Sequence, residues 1–470
     1  MAYTDQYENA ASYDAVIIGA GQAGGPLSTA MANAGWKTAL VESKHVGGTC
    51  VNEGCTPTKT MVASARVAHL ARRAADYGVH TGPVRVDMER VRERKRDIVD
   101  SFRGGSERRI DRTEGLDLIM GDARFVGPKT VEVRLNNGGL RMLSADTIVI
   151  NTGTRARVPS LQGLEQVPAL DSTSIMELDE VPAHLLIVGG GYIGLEFGQM
   201  FRRFGSKVTI VQRRSQLLPR EDADVAEEIA EILRQDGIEV LLETEPVCIE
   251  GMWQGQIGLQ VRSNGEERLL TGSHLLLAVG RVPSTDSLNL PAAGIEVDGR
   301  GFIPVDDRLQ TAVPGVYALG DVKGGPAFTH IAYDDYRLLR TNLLEDGDAS
   351  TAGRLVPYTV FIDPQLGRVG LTEKQAEAQG VNYQVAKIPM TWVGRALETD
   401  ETRGLMKAIV DADTGQILGA AILGVEGGEV MTVLQMAMMG GVPYTTIRDG
   451  VFAHPTLSES LNNLFMAMEN

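Results

Sequence analysis

The sequence predicts an α/β protein, because each half of the chain begins with the same order of apolar strand, glycine-rich turn, helix and strand. The first copy of this unit covers residues 14–42 and the second covers residues 185–211. Residues 354–470 differ, since strand and helix patterns alternate there without such a turn. The chain is therefore expected to contain two domains with parallel sheets and a C-terminal α+β domain.

The first copy has glycines at Gly19, Gly21 and Gly24, placed between an apolar strand and a helix. In a Rossmann-like unit the first glycine permits the tight turn, the second admits a pyrophosphate, and the third packs helix on strand. The second strand, residues 37–41, ends at Glu42, where an acidic side chain binds a ribose hydroxyl. A glycine turn can occur without a ligand, but the full context favours a dinucleotide site.

The second copy repeats the spacing at Gly189, Gly191 and Gly194, which predicts two Rossmann-like dinucleotide-binding domains in one chain. Its second strand, predicted at residues 207–211, is followed by Gln-Arg-Arg instead of an acid. Arg213 and Arg214 suit a 2′-phosphate through charge-assisted hydrogen bonds, so NADPH is favoured over NADH. The alternative is that both arginines simply face solvent.

Other sequence patterns predict helices and strands between the two copies and after the second one. The other predicted elements are a charged helix within residues 85–112, a hairpin within 116–142 with its turn at 136–139, strands at 146–150, 273–279 and within 311–321, a helix at 333–344, a polar linker at 345–353, and C-terminal strands at 358–362, 406–411 and 417–423 with helices at 373–379 and 428–439. Because the C-terminal region has no nucleotide motif, it is expected to be an interface or substrate domain.

The composition excludes several classes of partner. A formal net charge of −16 disfavours nucleic acid and anionic membrane surfaces. Three cysteines in 470 residues fit a reducing compartment. Residues 1–12 lack the basic and apolar segments of a signal peptide, and no apolar run approaches a membrane span. A cytoplasmic protein is predicted, with neither nucleic acid nor membrane as a partner.

Two of the three cysteines, Cys50 and Cys55, lie directly after the first glycine motif, and Cys248 stands alone. Pro57 and the apolar-periodic run after it place Cys55 near a helix start, where the peptide dipole stabilises a thiolate. A closed zinc site needs about four ligands, and a static disulfide is unusual without a secretory context. A redox pair is favoured over these two alternatives.

Several motifs together resemble the FAD-dependent pyridine nucleotide–disulfide oxidoreductases over residues 13–468. This is the family of glutathione reductase, dihydrolipoamide dehydrogenase and mercuric reductase. Besides the two glycine fingerprints, the matching segments are residues 47–55 around the cysteines, residues 151–153, residues 311–321 and residues 453–459, Ala-His-Pro-Thr-Leu-Ser-Glu. All of them occur in the family's order.

The resemblance implies a cofactor for each fingerprint. The residues expected to hold FAD are Gly19, Gly21, Gly24, Glu42, Gly48, Thr49, Lys59, Thr152, Gly153 and Asp321. Those expected to hold NADPH are Gly189, Gly191, Tyr192, Gly194, Arg213, Arg214 and Gly280, with Tyr192 moving aside for the nicotinamide. No metal ligand is expected.

The resemblance also implies the domain division and the oligomer. Residues 1–156 and 281–352 are expected to form the FAD domain, residues 157–280 the NAD(P)H domain, and residues 353–470 the dimerisation domain of a homodimer. Lys59 and Glu196 are expected to pair beside the flavin, since a buried carboxylate is costly unless it is paired.

The catalytic roles follow from the same resemblance. Electrons are expected to pass from NADPH through FAD to a redox disulfide of Cys50 and Cys55, and then to a substrate. Cys55 would face the flavin, whereas Cys50 would attack the substrate. His454 and Glu459 would reach the other subunit's cysteines, His454 as acid and base and Glu459 as its orienting carboxylate. The bond between His454 and Pro455 is expected to be cis, as in relatives.

The substrate is less well determined than the electron path. Mercuric reductases end in a cysteine pair, which residues 465–470 lack, and glutathione reductases carry an arginine where residues 27–30 read Leu-Ser-Thr-Ala. Dihydrolipoamide dehydrogenases have an acidic residue where this chain has Gln-Arg-Arg. An NADPH-dependent reductase of a small disulfide or oxidant is therefore predicted. The alternatives are a dihydrolipoamide dehydrogenase, a Hg(II) or Cu(II) reductase, and a flavin-loaded redox sensor.

Overall fold

The computed structural model describes residues 10–469. Most of the polar segment at residues 1–12, whose sequence does not predict a signal peptide, lies outside the described residues. The strands are β1 (Ala11–Ile18), β2 (Thr38–Glu42), β3 (Leu116–Gly127), β4 (Thr130–Leu135), β5 (Leu140–Ile150), β6 (Thr154–Ala156), β7 (His184–Val188), β8 (Lys207–Val211), β9 (Glu239–Leu241), β10 (Thr244–Trp253), β11 (Gln256–Ser263), β12 (Glu266–Gly272), β13 (His274–Leu277), β14 (Arg281–Pro283), β15 (Val316–Ala318), β16 (Tyr358–Val360), β17 (Gln365–Gly370), β18 (Tyr383–Pro389), β19 (Leu405–Asp411) and β20 (Ile417–Gly424).

The α-helices are separated by these strands and by short 3₁₀ turns. They are α1 (Gly24–Asn33), α2 (Gly48–Asn52), α3 (Cys55–Arg72), α4 (Met88–Asp111), α5 (Tyr192–Phe204), α6 (Ala223–Gln235), α7 (Thr329–Leu344), α8 (Glu373–Ala378), α9 (Gly394–Glu398), α10 (Gly427–Met439), α11 (Tyr444–Arg448) and α12 (Ser460–Met466). Among residues 10–469, none of the helices has the length and apolarity needed to cross a membrane.

The chain forms two compact units, each made of three segments. The first unit contains the chain up to Thr60, residues 93–157 and residues 281–354, and the second contains residues 61–92, 158–280 and the chain from Leu355 onward. The division into three functional domains expected from the sequence remains a prediction.

A six-stranded sheet organises the first unit, in the order β1-β2-β3-β4-β5-β15 with β1 also paired to β5. β1, β2, β5 and β15 are parallel, whereas β4 runs antiparallel to β3 and β5. Val16 and Ile17 of β1 are fully buried. Each such side chain contributes about 1.5–3 kcal/mol, so the central strand fixes the sheet on which the site is built.

The second unit contains three sheets. The parallel sheet β13-β7-β8-β9 carries the second glycine fingerprint, and β10-β11-β12 forms a separate antiparallel sheet. The C-terminal region forms a five-stranded antiparallel sheet in the order β16-β17-β20-β19-β18. Helix α10 packs on this sheet through buried Val430, Met431 and Leu434.

The structure confirms the predicted α/β fold class and most of the predicted elements. Strand β8 begins and ends where the sequence predicts, and α4, α7 and α10 agree with the predicted helices to within a few residues. The antiparallel sheet of residues 244–272 was not predicted. The His454–Pro455 bond is cis, as expected, and Asp363–Pro364 is also cis.

Candidate active site and cofactor cradles

Parallel strands in the first unit bring distant segments to one edge of the sheet. The register aligns Ile18 with Val41 and with Ile150, and Ile150 with Ala318. The turns that follow these strands therefore lie together at their carboxyl ends, which is where open α/β sheets bind ligands. Three residues of the predicted FAD site, Gly19, Thr152 and Asp321, lie in the turns after β1, β5 and β15.

The first fingerprint is so tightly folded that only glycine fits at two of its positions. Gly19 has φ +106°, and a Cβ atom there would lie 2.4 Å from the carbonyl oxygen of Asn151. A Cβ atom on Gly24 would lie 2.1 Å from the oxygen of Gly19, so helix α1 approaches the turn closely. The side-chain amide of Asn151 donates to the Gly19 oxygen at 3.2 Å. The same amide nitrogen would lie 3.0 Å from a Cβ atom on Gly21, so Asn151 packs against the turn.

Glu42 is placed beside this turn by strand β2. Its carboxylate accepts hydrogen bonds from the backbone nitrogens of Ala20, at 2.9 Å, and Lys44, at 2.8 Å. The residue is only 9% exposed. These two bonds hold the acid at the position where a ribose hydroxyl would be bound.

The segment after β5 contains an unsatisfied polar atom. The hydroxyl oxygen of Thr152 is buried and has no hydrogen-bond partner in the described part of the chain. Gly153 follows with φ +66°, and no atom lies within 4 Å of the place that a Cβ would take. A buried hydroxyl without a partner is rare in proteins, and here it lies at the ligand-binding edge of the sheet.

Asp321, which follows strand β15, is held by a short hydrogen-bond network. The Thr154 hydroxyl donates to Asp321 at 2.9 Å, and the Arg281 guanidinium donates to the Thr154 hydroxyl at 2.8 Å. The Gly320 nitrogen donates to the fully buried Asp335 at 2.8 Å. Sequence reasoning identified Asp321 but not these supporting residues.

The cysteine segment packs directly on the first fingerprint. A Cβ on Gly48 would lie 2.7 Å from the Cα of Gly21, so the two backbones touch. The Gly47 nitrogen donates to the Ala20 oxygen at 2.9 Å, and the Gln22 amide donates to the Gly47 oxygen at 3.1 Å. The cysteine segment and the glycine turn of the first fingerprint are therefore packed and hydrogen-bonded to each other.

Cys50 and Cys55 occupy two consecutive helices. Cys50 lies within α2 and is partly buried, whereas Cys55 is the first residue of α3 and is exposed. This confirms the predicted helix start at Cys55. Both residues are thiols, and the Cys55 sulfur lies 3.3 Å from the hydroxyl of Thr329 at the start of α7. Thr329 is a site residue that sequence reasoning missed.

The Cys50 thiol is a weaker acid than an ordinary cysteine. A hydrogen bond with Cys55 raises the pKa of the Cys50 thiol well above its ordinary value, and burial and the negative charge of Cys55 add to this increase. Thr329 and Lys59 oppose it by lowering the pKa of Cys50. Cys50 therefore keeps its proton until a base removes it.

The second fingerprint repeats the same backbone geometry in the second unit. Gly189 has φ +117°, and a Cβ there would lie 2.3 Å from the oxygen of Ala278. A Cβ on Gly194 would lie 2.2 Å from the oxygen of Gly189, whereas Gly191 has open space around it. Gly280, at φ +109°, lies just beyond the adjacent strand β13 and has equally open surroundings.

Of the three side chains that follow β8, one is buried and two are exposed. Gln212 is 7% exposed and donates to the Gln216 oxygen at 3.1 Å. Arg213 and Arg214 are exposed, and within residues 10–469 their guanidinium groups form no ion pair. Tyr192, the first residue of α5, is 37% exposed. The two cations are therefore available to an anionic ligand.

The C-terminal motif forms a His–carboxylate pair. The Nδ1 atom of His454 lies 3.0 Å from each carboxylate oxygen of Glu459. The His454 side chain is 79% exposed, whereas that of Glu459 is 21% exposed. The carboxylate thus fixes the ring and leaves its other nitrogen toward solvent.

Glu196 and Lys59 are found in different compact units. Glu196, in α5, is 4% exposed and accepts a hydrogen bond from the Phe361 nitrogen at 2.9 Å. Lys59 lies in the first turns of α3 and is partly buried. Their expected pairing beside the flavin remains a prediction.

Comparison with known proteins covers nearly the whole chain. The family model for pyridine nucleotide-disulphide oxidoreductases matches residues 13–335, and the model for the dimerisation domain of the same family matches residues 356–465. The match to a dimerisation domain supports a homodimer.

Curated relatives fall into three groups. The chain is 42% identical over 457 residues to the probable pyridine nucleotide-disulfide oxidoreductase RclA of Escherichia coli, covering 96% of this chain and 98% of that protein. A mercuric reductase of Bacillus cereus is 35% identical, with 96% and 70% covered, and a dihydrolipoyl dehydrogenase of Haloferax volcanii is 34% identical, with 95% and 94% covered.

Solved structures show the same relationship to RclA. The HOCl-induced flavoprotein disulfide reductase RclA from E. coli superposes with a TM-score of 0.87 at 42% identity, covering 97% of this chain and 99% of that chain. Its Cu(II) complex superposes equally well, with 96% and 99% covered. With its two fingerprints, its cysteine pair and its C-terminal histidine motif, this chain belongs to the pyridine nucleotide-disulphide oxidoreductase family, whose members are flavoproteins that use FAD and NAD(P)H.

Proposed function

We propose that this protein is an NADPH-dependent flavoprotein reductase of a small disulfide or a related oxidant. The observation that carries the proposal is the packing of the cysteine segment on the first fingerprint, where Gly48 touches Gly21. This contact makes the redox pair part of the nucleotide cradle. A static disulfide or a metal half-site would not require such a contact.

The residues of the first unit fit FAD. The glycine turn has no side chain that would keep a pyrophosphate away from its backbone. Glu42 is fixed for a ribose, and the buried Thr152 hydroxyl lacks a partner in the described part of the chain. FAD would be held by Gly19, Gly21, Gly24, Glu42, Gly48, Thr49, Lys59, Thr152, Gly153 and Asp321. When bound, it supplies the two-electron chemistry that connects a nicotinamide with a disulfide.

The second unit fits NADPH. Gly189, Gly191 and Gly194 form the phosphate turn, and Gly280 leaves space next to it. Tyr192 stands at the start of α5, where its ring can cover or uncover the site. Arg213 and Arg214 would bind the 2′-phosphate, because no carboxylate of the described chain neutralises them.

The thiol chemistry must account for the raised pKa of the Cys50 thiol. Substrate reduction consumes two electrons and two protons, converting one disulfide into two thiols. Deprotonated Cys50 attacks one substrate sulfur, so a mixed disulfide forms and the first substrate thiolate leaves with a proton from an acid. The Cys55 thiolate then attacks the Cys50 sulfur, which releases the second thiolate and closes the Cys50–Cys55 disulfide.

His454 is suited to move these protons. Because the pKa of Cys50 is raised, a base must remove its proton before attack. An imidazole oriented by Glu459 can accept that proton and deliver it to the leaving thiolate. In the proposed homodimer, each subunit would supply His454 and Glu459 to the cysteines of its partner.

A steady-state assay tests the proposal. The FAD-loaded protein should oxidise NADPH in the presence of a disulfide panel that includes lipoamide, glutathione disulfide and aromatic disulfides, with NADH as the matched cofactor control. Stoichiometric thiol formation with at least one disulfide supports the proposal. NADPH oxidation without thiol formation would refute it. Faster reduction of lipoamide with NADH, together with oxidation of dihydrolipoamide by NAD⁺, would favour a dihydrolipoamide dehydrogenase.

Cu(II) is a second candidate substrate, because the relative RclA has been solved as a Cu(II) complex at 42% identity to this chain. One NADPH would reduce two Cu(II) ions to two Cu(I) ions and release one proton. A Cu(I)-specific chelator should then report two Cu(I) for each NADPH consumed. A parallel assay with Hg(II) tests the related alternative, and the absence of Cu(I) formation would exclude the copper activity.

A further inference from the structure

The loop that carries Arg213 and Arg214 is attached at its far end to the five-stranded C-terminal sheet. This arginine loop, residues 212–222, connects β8 to α6. It ends at Glu221 and Asp222, which are 6% and 9% exposed. Carboxylates are rarely buried in proteins unless they are paired. The partners of these two carboxylates therefore bear on how the arginines are presented to a ligand.

Hydrogen bonds connect successive positions of the arginine loop. The Gln212 side chain donates to the Gln216 oxygen at 3.1 Å, and the Gln216 side chain donates to the Glu221 oxygen at 3.1 Å. The two arginines lie between the first two of these positions. The Glu243 nitrogen donates to the Arg214 oxygen at 3.0 Å. A displacement of Glu221 is therefore transmitted to the arginines through bonds of their own loop.

Leu218, within the arginine loop, has a strained backbone. Its φ angle is +42°, in the left-handed region that a bulky side chain rarely adopts. Its nitrogen donates to the oxygen of Gly190, in the second fingerprint, at 2.9 Å. Strained backbone persists only where the surrounding structure imposes it, and it is common in segments that bind ligands. The conformation of the loop is thus imposed by its contacts.

Glu221 is held by two side chains of the C-terminal sheet. The Tyr358 hydroxyl, on β16, donates a hydrogen bond to its carboxylate. The Nε atom of Arg368, on β17, lies 3.4 Å from a carboxylate oxygen of Glu221. Arg368 is itself buried, and it donates to the Ala420 oxygen of β20 at 2.8 Å. Because a buried ion is costly when it loses its partner, this end of the loop is fixed to the sheet.

Asp222 provides a second attachment to the C-terminal region. It immediately precedes α6, where an aspartate usually caps the helix, yet its side chain makes no capping bond within the described part of α6. Its carboxylate instead lies 3.1 Å from the Nζ atom of buried Lys407, on β19, and accepts from the Glu373 nitrogen at 3.2 Å. These partners, like Tyr358 and Arg368, belong to the segment that the dimerisation-domain model matches.

We propose that Glu221 and Asp222 are positioning residues, through which the C-terminal sheet holds Arg213 and Arg214 ready for the 2′-phosphate of NADPH. This inference rests on the proposed use of NADPH. It assigns part of the nucleotide specificity to Tyr358 and other residues that belong to no glycine fingerprint. Because NADH lacks the 2′-phosphate, a loop that is poorly held should weaken NADPH and spare NADH.

Tyr358→Phe tests the proposal, since it removes one attachment without leaving a charge unpaired. In the FAD-loaded protein, KM for NADPH should rise at least threefold, whereas KM for NADH and kcat at saturating NADPH should change less than twofold. Glu221→Gln/Arg368→Gln removes the ion pair as a unit and should raise KM for NADPH at least tenfold. Equal changes for both nucleotides, or no change for NADPH in Tyr358→Phe, would overturn the inference.

Tyr383→Phe is the matched control. Tyr383 lies on β18 of the same sheet, and its hydroxyl donates to the Glu377 carboxylate of α8 at 3.1 Å, outside the arginine loop. The control loses the same kind of bond and should keep the wild-type KM for NADPH. If it raises this KM as much as Tyr358→Phe does, general loosening of the sheet explains the effect and the inference is wrong.

A double-mutant cycle tests whether Tyr358 acts through the arginines. Residues that act through one another have non-additive effects. When Tyr358→Phe is added to Arg213→Gln/Arg214→Gln, KM for NADPH should therefore change less than twofold. An additional rise as large as in the wild-type background would mean that Tyr358 acts by another route, which contradicts the proposal.

Calorimetry separates failure of this inference from failure of the proposed function. Adenosine 2′,5′-bisphosphate carries the 2′-phosphate and adenosine 5′-phosphate lacks it, and both are titrated into FAD-loaded wild-type and Tyr358→Phe protein. The wild type should bind the bisphosphate at least tenfold more tightly, and the variant should lose at least threefold of that preference, even if no disulfide is reduced. If the wild type binds both probes equally, the NADPH assignment and this inference fail together. If the variant keeps the full preference, this inference alone fails.

Discussion

Both carboxylate oxygens of Glu459 lie 3.0 Å from the Nδ1 atom of His454. A carboxylate can only accept from this nitrogen, so Nδ1 carries the hydrogen and the other ring nitrogen is free to take a proton. The same relationship orients the histidine of nucleophile–His–acid triads. It gives an exposed histidine a defined tautomer and orientation.

Glu459→Gln should therefore slow disulfide reduction while leaving flavin reduction by NADPH unchanged. A glutamine amide can donate to Nδ1 and favour the wrong tautomer, so we expect kcat to fall about 10–100-fold, as is typical when an orienting partner is lost. Stopped-flow spectroscopy measures the two half-reactions separately. Glu459→Asp retains the charge and should be less impaired. Equal slowing of both half-reactions would contradict the assigned role.

Cys55→Ala should lower the pKa of Cys50. The hydrogen bond and the negative charge of Cys55 both raise that pKa, so their removal lets Cys50 ionise at lower pH. The measurement is the rate of iodoacetamide alkylation of Cys50 against pH, followed by mass spectrometry. We expect the midpoint to move down by about one unit or more, the usual scale of such charge effects. An unchanged midpoint would mean that burial alone sets the acidity of Cys50.

Cys50→Ser should separate the two half-reactions. The variant keeps Cys55 and the nucleotide turns, so flavin reduction by NADPH should proceed at nearly the wild-type rate. Disulfide turnover should be abolished, because serine is a poor nucleophile at neutral pH. Retained disulfide reduction would show that Cys50 does not attack the substrate.

The sequence predicted the local parts of the site well, because their backbone geometry allows few residues. Gly19 and Gly24 must be glycines, since a Cβ atom would meet a carbonyl oxygen at 2.4 Å or less. Such constraints appear in the sequence as a fixed spacing. The start of α3 at Cys55 was predictable for a similar reason, because proline and apolar periodicity mark a helix locally.

Contacts between distant segments were not predictable in this way. Thr329 contacts Cys55 although the two residues are 274 positions apart in the sequence. Arg103 contacts Asn52 although these two are 51 positions apart. No local rule identifies such partners.

Arg213→Gln/Arg214→Gln should weaken NADPH more than NADH. Losing two charge-assisted hydrogen bonds costs about 1.5–3 kcal/mol each, but exposure reduces this, so we expect KM for NADPH to rise about 10–100-fold. The KM for NADH should change less than about threefold, since it lacks the 2′-phosphate. Equal changes for both nucleotides, or higher kcat/KM with NADH in the wild-type protein, would contradict the NADPH assignment.

Gly24→Ala should prevent FAD binding, whereas Gly25→Ala should not. A Cβ at Gly24 would lie 2.1 Å from the Gly19 oxygen, but a Cβ at Gly25 would lie 3.7 Å from the nearest heavy atom, the Ala20 oxygen, which is an ordinary contact. Alanine at Gly25 should even stabilise α1 by up to about 1 kcal/mol. The flavin content of the purified proteins and their thermal melting curves measure both effects. Full flavin occupancy in Gly24→Ala would show that the turn can relax.

His69→Gln should make the free energy of unfolding less dependent on pH between 4 and 7. Burial, assisted by the positive charge of Arg203, lowers the pKa of His69 from 6.5 to about 4. Its Nε2 atom is buried and finds no hydrogen-bond partner within residues 10–469. Between these two pH values the unfolded chain binds more protons than the folded one, so stability falls as the pH drops from 6.5 toward 4.

Glutamine does not titrate, so this part of the pH dependence should disappear in His69→Gln, whatever the neutral side chain does to stability at pH 7. Urea unfolding of FAD-saturated protein at several pH values between 4 and 7 gives the free energy of unfolding for the wild-type and variant chains. The free energy of unfolding of the wild-type chain minus that of the variant should decrease as the pH falls. His80→Gln, in an exposed position of the same unit, is the matched control and should run parallel to the wild-type curve. A parallel curve for His69→Gln as well would mean that His69 is protonated in the folded protein as readily as in the unfolded chain.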